Sequence, residues 1–345
     1  MVIAGIGELV VDWIATEKGD HPLTAGLFYR GLGGNCANMT VGVARLGGKA
    51  RLIAKVGVDI HRDYLFKALK DEGVDSSSII VDERYPTAQC YCYWNRGVDD
   101  YSYYNWPIPH AADKLAADEL QPFMFEGVSI IHATGISLMI EPRRSAILRA
   151  VDMAKERGIV VSFDACFPTD KEDAMAPAGR KLMQASDILK VNLHELSYWY
   201  HTLLKETAGE FGVGEDEKVR QDLLRAAERM LEEYEPSLMV VTLGANGSFL
   251  LNRTTHVYCP PFAVKTIAAV GAGDGYIAGL LHKVDDMLDK PSASELQRLH
   301  GKALLEIGTF ANACGALVTT KIGASDGMPY AADVDDLLKA HSRLP

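Results

Sequence analysis

The most constraining feature of this sequence is a regular alternation of short apolar runs with longer amphipathic segments. The apolar runs occupy residues 2–11, 50–56, 128–132, 159–164, 188–191 and 238–243. Helical segments occupy residues 36–47, 63–72, 143–157, 177–184 and 219–234, the fourth with Pro177 at its first position, where a missing N–H costs nothing. Continuous apolar runs suit strands that are buried on both faces. The pattern predicts an α/β fold with a doubly wound, mostly parallel sheet flanked by helices.

Two stretches interrupt this alternation. Residues 12–30 separate the first strand from the first helix, and residues 84–106 alternate apolar and polar side chains around Arg96-Gly97, which predicts a hairpin. The hairpin holds six of the 14 tyrosines of the chain. We expect the two stretches to form a small β-sheet lid that covers a ligand, contacts a second copy of the chain, or does both. A hairpin packed on the core is the alternative. We therefore expect residues 1–345 to form a single domain that carries this lid.

The composition excludes several classes of partner. The chain has 46 acidic and 35 basic residues, a net charge of −11, which argues against nucleic-acid and membrane partners. It contains no apolar run of about 18 residues and no basic leader segment, so neither a membrane span nor secretion is expected. None of the six cysteines forms a CxxC pair; Cys90 and Cys92, two apart on a predicted strand, are interpreted as packed thiols, with a metal site as the alternative. A reducing cytoplasm is the expected location.

The strongest chemical signal is Gly271-Ala272-Gly273-Asp274, a glycine-rich turn that leads into a predicted apolar helix beginning near Asp274. The first amides of a helix lack intrahelical partners and carry partial positive charge. The amides of these four residues are therefore predicted to form an anion hole for a phosphoryl group. A carboxylate there would repel phosphate, but it is useful if it accepts the proton of an attacking hydroxyl. The alternative is that Asp274 only caps the helix.

Two other glycine-rich nucleotide motifs are missing from the sequence. No GxxxxGK[ST] string occurs, so the chain has no P-loop. Gly5-Ile6-Gly7 begins like a dinucleotide fingerprint, but Val10 stands where the third glycine belongs. A nicotinamide-dependent oxidoreductase is therefore disfavoured.

Gly33, Gly34 and Asn38 lie at the start of the first helix. Glycines that permit close approach, together with neutral amides, suit a polyhydroxy ligand better than a phosphate. An ordinary glycine-rich turn is the alternative.

Asn192 and Glu195 lie where a predicted strand ends and a helix begins, which is the ligand-binding edge of an open α/β sheet. Glu195 could hold the water shell of Mg²⁺. The alternative is a helix cap with Glu195 three residues after Asn192, and both interpretations can hold together. Thr242, Gly244 and Gly247 form a strand–turn–strand where the backbone can approach a nucleotide.

In this order, these segments resemble the ribokinase-like family of carbohydrate kinases, also called the PfkB family, from Gly5 to about Lys321. The chain is most similar to the fructokinase and 2-keto-3-deoxygluconate kinase group, through residues 7–9, 43–48 and 159–164. The resemblance implies an ATP- and Mg²⁺-dependent phosphotransferase that acts on a hydroxyl of a sugar or sugar-like substrate, with Asp274 as base and the amides of Gly271, Ala272, Gly273 and Asp274 as anion hole. It assigns acceptor contacts to Asp12, Gly33, Gly34 and Asn38, and nucleotide contacts to Asn192, Glu195, Thr242, Gly244, Gly247 and Asn312. It also implies a homodimer formed through the lid.

The chain departs from the family pattern at several positions. Ala268, Ala269 and Val270 stand where the family often has Asp-Thr-Thr, whose aspartate shapes a monovalent-cation loop, so potassium activation stays open. After the hairpin, the usual arginine is replaced around Asn105-Trp106. These changes lie near the expected sugar site or the cation loop, so the sequence does not identify which sugar is the phosphate acceptor. A nucleoside kinase of the same fold and a catalytically inactive sugar- or nucleotide-binding regulatory protein are the alternatives.

Overall fold

The computed structural model describes residues 1–16, 25–94, 101–166, 172–204, 211 and 217–341. The strands within these ranges are β1 (Val2–Ile6), β2 (Val10–Ala15), β3 (Phe28–Gly33), β4 (Lys49–Gly57), β5 (Ile79–Asp82), β6 (Ala88–Trp94), β7 (Tyr101–Trp106), β8 (Val128–Thr134), β9 (Val160–Asp164), β10 (Ile188–Asn192), β11 (Leu238–Thr242), β12 (Ser248–Leu251) and β13 (His256–Cys259). The helices are α1 (Asn35–Arg45), α2 (Ile60–Asp71), α3 (Arg143–Lys155), α4 (Glu172–Ala185), α5 (Leu193–Leu204), α6 (Glu217–Tyr234), α7 (Ala272–Met287), α8 (Ala293–Gln297), α9 (Gly301–Val318), α10 (Ala324–Gly327) and α11 (Ala331–His341).

Nine of the strands form one large sheet in the order β13-β12-β11-β10-β9-β8-β1-β4-β5. All neighbouring pairs from β11 to β5 are parallel, and β12 and β13 extend one edge in antiparallel fashion. Successive residues of β1, Ile3 and Ala4, belong to two different buried cores. One core contains α3 to α6 and the other contains α1, α2, α7 and α9. Helices therefore cover both faces, which confirms the predicted doubly wound, mostly parallel sheet.

A second, smaller sheet has the order β3-β2-β6-β7. Its pairs are antiparallel except for β2 with β6. The predicted hairpin of residues 84–106 is present as β6 and β7, which pair with Tyr91 opposite Tyr104. Its expected turn at Arg96-Gly97 lies outside the described residues, and so do residues 17–24 of the other interrupting stretch. Within the described ranges, no helix is both long and apolar enough to cross a membrane.

The apolar run predicts a single strand over residues 2–11, but the structure divides it into two strands. β1 belongs to the large sheet and β2 to the small one, and residues 7–9 connect them. The carboxylate of Glu8 forms an ion pair with buried Arg143 at 2.9 Å and accepts a hydrogen bond from Ser137 Oγ at 2.8 Å. A Cβ on Gly7 would lie only 2.6 Å from Ser137 Oγ. The chain therefore bends at a buried polar contact. The hydrophobic pattern does not reveal this bend, because the strands on both sides of it are buried and apolar.

The predicted start of the fourth helix at Pro177 is also wrong. α4 begins at Glu172, so Pro177 lies inside the helix. Proline in the second turn removes one hydrogen bond, to the carbonyl of residue 173, near a helix end that has unpaired groups anyway. The helix extends past the proline without that hydrogen bond. The other predicted helices and strands are confirmed with shifts of a few residues at their ends.

Candidate active site

Asp274 lies in the first turn of α7, but its side chain does not cap that helix. The N-cap is Gly271, whose φ of 81° is left-handed, and no side chain caps the helix. The buried carboxylate instead accepts hydrogen bonds from Asn38 Nδ2 at 2.8 Å and from Asn35 Nδ2 at 3.2 Å. The capping alternative for Asp274 is therefore wrong. The carboxylate is held across a space between α7 and α1.

The backbone amides at the start of α7 differ in their partners. The Ala272 amide donates to the Ala269 carbonyl at 3.2 Å, and the first bond of the helix joins the Gly275 amide to the Gly271 carbonyl at 2.9 Å. Within the described part of the chain, the amides of Gly271, Gly273 and Asp274 donate to no carbonyl. Three of the four predicted anion-hole amides are thus available to a ligand. They lie at the positive end of a 16-residue helix.

The start of α1 supplies the groups that hold Asp274. Asn35 and Asn38 are three residues apart and therefore lie on the same face of the helix. The N-cap of α1 is Gly34, with φ of 102°, and a Cβ there would lie 2.3 Å from the Glu8 carbonyl oxygen. Glycine is required at this position by both backbone conformation and space. Both asparagines belong to the glycine-rich segment, and their hydrogen bonds to Asp274 were not predicted.

Asp12 lies within electrostatic reach of Asp274. It is buried in the middle of β2, and a Cβ on Gly33 of β3 would lie 2.1–2.3 Å from its three carboxyl atoms. Only glycine leaves room for that carboxyl group. On Gly31, a Cβ would lie 3.2 Å from Asp326 Oδ2, so a further carboxylate is close by. The structure brings Asp12, Gly33, Asn38 and Asp274 together, as the resemblance implies.

Burial and nearby carboxylates raise the pKa values of Asp12 and Asp274. Burial, followed by the charges of Asp274 and Asp326, raises the pKa of Asp12 to about 7. Burial raises the pKa of Asp274 to about 7 as well, against the hydrogen bonds from Asn38 and Asn35. A general base works best when its pKa is near the operating pH. The geometry and the electrostatics of Asp274 therefore suit proton transfer at neutral pH.

A buried ion pair lies beside the start of α7 and had no predicted role. Lys190 Nζ of β10 lies 2.9 and 3.0 Å from the carboxylate oxygens of Asp164 at the end of β9. A Cβ on Gly273 would be 3.7 Å from the same Nζ atom. Burial alone would lower the pKa of Lys190, but the neighbouring carboxylates raise it, so the ammonium stays charged. One feature of the sequence could have revealed Lys190: it is a charged residue in the otherwise apolar strand β10. It lies two positions before Asn192 and therefore on the same face of that strand.

Asn192 and Glu195 form the predicted reciprocal cap at the start of α5. Asn192 Oδ1 accepts a hydrogen bond from the Glu195 amide at 2.8 Å. Glu195 Oε2 accepts from the Asn192 amide at 2.6 Å, and Oε1 accepts from Asn192 Nδ2 at 2.8 Å. The capping interpretation is confirmed. A carboxylate has about four acceptor positions, so this cap is compatible with a role toward the water shell of a metal ion.

The remaining predicted nucleotide contacts lie around the β11–β12 turn. A Cβ on Gly244, whose φ is 59°, would meet no atom within 4 Å. A Cβ on Gly247, whose φ is 83°, would lie 2.2 Å from the Cys259 carbonyl oxygen. Thr242 ends β11 opposite Ser248 of β12. The turn is therefore open on one side and tightly packed on the other.

Asn312 of α9 is tied to this turn through the backbone. Its Nδ2 atom donates to the carbonyls of Cys259 and Pro260, both at 3.0 Å. The hydroxyl of Tyr276, which lies two residues after Asp274 on α7, donates to Ser248 Oγ at 3.0 Å. The β11–β12 turn and the start of α7 are thus joined by one short network.

The segment that departs from the family pattern packs on the small sheet. Ala268 and Val270 lie in an apolar cluster with Ile14, Cys90 and Cys92. All six cysteines of the chain are free thiols, and the sulfur atoms of Cys90 and Cys92 are 3.9 Å apart. Apolar side chains at positions 268 and 270 therefore match an apolar inner surface of the small sheet.

Comparisons with known proteins agree with this geometry. The pfkB family of carbohydrate kinases matches residues 3–331. Fructokinase-1 of Zea mays is 32% identical over 346 residues, covering 98% of each chain. The fructokinase of Solanum tuberosum is 32% identical over 341 residues, covering 98% of this chain and 96% of its own.

Solved structures give the same result. The fructokinase of Xylella fastidiosa with bound ATP superimposes with a TM-score of 0.84 at 25% identity, covering 99% of both chains. The fructokinase of Vibrio cholerae O395, in its form with fructose, ADP and calcium ion, gives a TM-score of 0.78 at 25% identity, covering 98% of both. The family match and the fold both extend over nearly the whole sequence. The chain is therefore a carbohydrate kinase of the PfkB family.

Proposed function

We propose that this kinase transfers the terminal phosphoryl group of ATP to a hydroxyl of fructose or a closely related sugar. The observation that carries the proposal is the buried Asp274 carboxylate, which two asparagines hold beside three unpaired helix amides. The similarity to fructokinases over the full chain supports the choice of sugar.

In the proposed reaction, Asp274 accepts the proton of the attacking hydroxyl. The oxygen of the sugar forms a bond to the terminal phosphorus, and the bond from that phosphorus to the bridging oxygen breaks, so that ADP leaves with the electron pair. The amides of Gly271, Gly273 and Asp274 stabilise the negative charge on the transferring group. The ammonium of Lys190, next to Gly273, adds positive charge close to the same place. Positioning and electrostatics supply most of the catalysis in such transfers.

Asp12, Gly33, Gly34 and Asn38 are proposed to bind the acceptor sugar. Thr242, Gly244, Gly247 and Asn312 are proposed to shape the nucleotide site, with Asn312 acting through the backbone of residues 259 and 260. Carboxylate and amide oxygens suit Mg²⁺, and Asn192 and Glu195 would organise its waters. When bound with ATP, Mg²⁺ neutralises charge on the phosphates.

We further propose that residues 1–345 form a single domain in which residues 12–30 and 84–106 act as a lid. A closed lid excludes water, which competes with the sugar as acceptor. Exposed Tyr104 and Trp106 on the outer face of the small sheet support a homodimer formed through the lid. Six free thiols support a reducing cytoplasm as the location.

The decisive experiment measures ADP release from Mg-ATP with a panel of sugars, keto-sugar acids and nucleosides, each with and without potassium. We expect turnover with fructose or a near relative, and none with nucleosides. Turnover with a nucleoside would replace the proposed acceptor. ATP binding without turnover on any acceptor would favour a regulatory protein. The dependence on potassium would show whether a loop with Ala268 and Val270 still binds a monovalent cation.

A further inference from the structure

The inner face of the small sheet holds a cluster of three metal-ligating groups, of which the proposed kinase reaction uses only Asp12. We propose that Asp12, Cys90 and Cys92 form a binding site for one thiophilic divalent cation such as Zn²⁺, and that this cation blocks the acceptor sugar. The second half of the proposal rests on the proposed function, because it requires that Asp12 binds the sugar. The first half does not depend on it.

The distances between the three side chains suit tetrahedral coordination. The sulfur atoms of Cys90 and Cys92 are 3.9 Å apart. With Zn–S bonds of about 2.3 Å, tetrahedral geometry places two sulfur ligands about 3.8 Å apart. One carboxylate oxygen of Asp12 and both sulfur atoms all lie within 4.8 Å of one another. Across the described ranges, no other three groups of this kind meet the same condition.

The strand register explains why the three groups converge. β2 and β6 pair in parallel, with Asp12 beside Cys90 and Ile14 beside Cys92. Residues two apart on a strand face the same side, so both thiols lie on the face that carries Asp12. Because β6 is paired on both sides, by β2 and β7, the backbone fixes this spacing before any ion arrives.

The same register disfavours a disulfide as the role of this pair. Residues two apart on an extended strand have Cα atoms about 6.6 Å apart. That separation is close to the upper limit of about 6.8 Å for a disulfide. A shared metal ion joins the two sulfur atoms at their present distance, whereas a disulfide must shorten it to about 2 Å and distort the strand.

Occupancy of this site has a specific consequence for the enzyme. Three protein ligands leave the fourth tetrahedral position open to water, whereas structural zinc sites have four protein ligands. A metal ion bound to the Asp12 carboxylate removes that group from the acceptor site. Inhibition should therefore be competitive with the sugar and not with ATP.

The binding test uses the reduced full-length protein without substrates. We expect isothermal titration with Zn²⁺ to give one ion per chain, and Cd²⁺ to give a thiolate-to-metal absorption band in the ultraviolet. Cys90→Ala and Cys92→Ala should each weaken binding by about 100-fold or more, because even indirect partners of metal ligands are worth about 10–100-fold. Cys314→Ala is the matched control, since it removes a buried lone thiol on α9, and it should bind like the unmodified protein.

The outcomes of these titrations separate the two halves of the proposal. Equal Zn²⁺ affinity in the unmodified protein and in both cysteine variants would overturn the site. Thermal melting checks that the variants fold, and Cys90→Ala, at the half-buried position, decides the matter if Cys92→Ala does not.

In the kinase assay, Zn²⁺ should raise the KM of the sugar in the unmodified protein and not in Cys90→Ala. If Zn²⁺ binds but this KM does not change, the inhibitory role alone is rejected. Binding by a protein that phosphorylates no sugar would instead reject the proposed function and leave the metal site standing.

Discussion

At the scale of single residues, the site is defined by two carboxyl groups in one buried space. Asp12 lies on a strand of the small sheet and Asp274 on α7, yet each has a pKa of about 7 because both are buried close to other acids. One group is proposed to bind the acceptor and the other to take its proton. Their substitution should therefore have different effects.

Asp274→Asn keeps the shape of the side chain and removes its ability to accept a proton. We expect kcat to fall by about 10²–10⁴-fold, the usual contribution of a positioned base. ATP affinity should change little, since the helix amides remain. ADP release and calorimetric ATP binding measure the two effects. Asp286→Asn, at an exposed position on the same helix, is the control and should keep full activity. A kcat within a few-fold of the unmodified enzyme would remove Asp274 from the role of base.

Asp12→Asn should stabilise the folded protein above neutral pH. The folded pKa of Asp12 is raised from 3.8 to about 7, so the folded state holds this proton more tightly than the unfolded chain does. Its favourable contribution is complete below about pH 4 and is lost as the pH rises through about 7. At pH 8 the variant should gain unfolding free energy on the order of 4 kcal/mol over the unmodified protein, since the rise from 3.8 to about 7 is about 3 pKa units and each unit corresponds to about 1.4 kcal/mol.

Urea unfolding at pH 4, 6 and 8 measures this effect. The difference between the two proteins should be largest at pH 8 and smallest at pH 4. A gain that is independent of pH would show that repacking, and not the charge of Asp12, is responsible. Sugar binding by the variant should be weaker above about pH 7, where the unmodified protein has a carboxylate at position 12 and the variant does not.

At the scale of elements, the apolar strands were predictable and the contacts between distant segments were not. Buried parallel strands produce apolar runs, which local sequence reveals directly. Asp274 was found because glycines flank it. The bonds from Asn35 and Asn38 to Asp274 span 239 and 236 residues of sequence, and the packing of α1 on α7 creates them. Lys190 was missed for the same reason, since its partner Asp164 lies on the neighbouring strand.

The contact between β2 and β3 gives a prediction at this scale. Gly33→Ala places a methyl group within 2.1–2.3 Å of the Asp12 carboxyl atoms, so that side chain must move. We expect the KM of the sugar to rise by about 10-fold or more, because small misplacements at a binding site are costly. The Kd of ATP should stay unchanged. Gly26→Ala, where a Cβ would meet no atom within 4 Å, is the control. If Gly33→Ala and Gly26→Ala had the same KM for the sugar, Asp12 would have no role in sugar binding.

At the scale of the whole molecule, the two faces of the small sheet have different characters. The inner face carries Asp12 and the two thiols, whereas the outer face carries Trp13 stacked on Tyr91 at 6.2 Å between ring centroids. Tyr104 and Trp106 extend this aromatic surface and are 55% and 52% exposed. A surface of this kind is typical of a contact between protein chains.

We therefore expect a dimer that depends on the outer face. Light scattering at micromolar concentration should give twice the mass of one 37.6 kDa chain. Trp106→Glu should produce monomers, because it places a charge in the proposed contact. Phe123→Glu, an exposed aromatic position outside the small sheet, should leave the mass unchanged. A monomeric unmodified protein would contradict the proposed dimer.

The bend between the two sheets determines how the small sheet can move. β1 lies in the large sheet between β8 and β4, and β2 lies in the small sheet between β3 and β6, so residues 7–9 form one of the connections between the two sheets. Glu8, bonded to Arg143 and Ser137, fixes the middle of that connection. Asp12 lies about 10 Å from this connection, at about 3.3 Å per residue. β7 lies two strands away from β2, which is also about 10 Å at about 4.8 Å per strand. A rotation of the small sheet about residues 7–9 would therefore move Asp12 by about as much as β7, so that opening the site also displaces the proposed acceptor carboxylate.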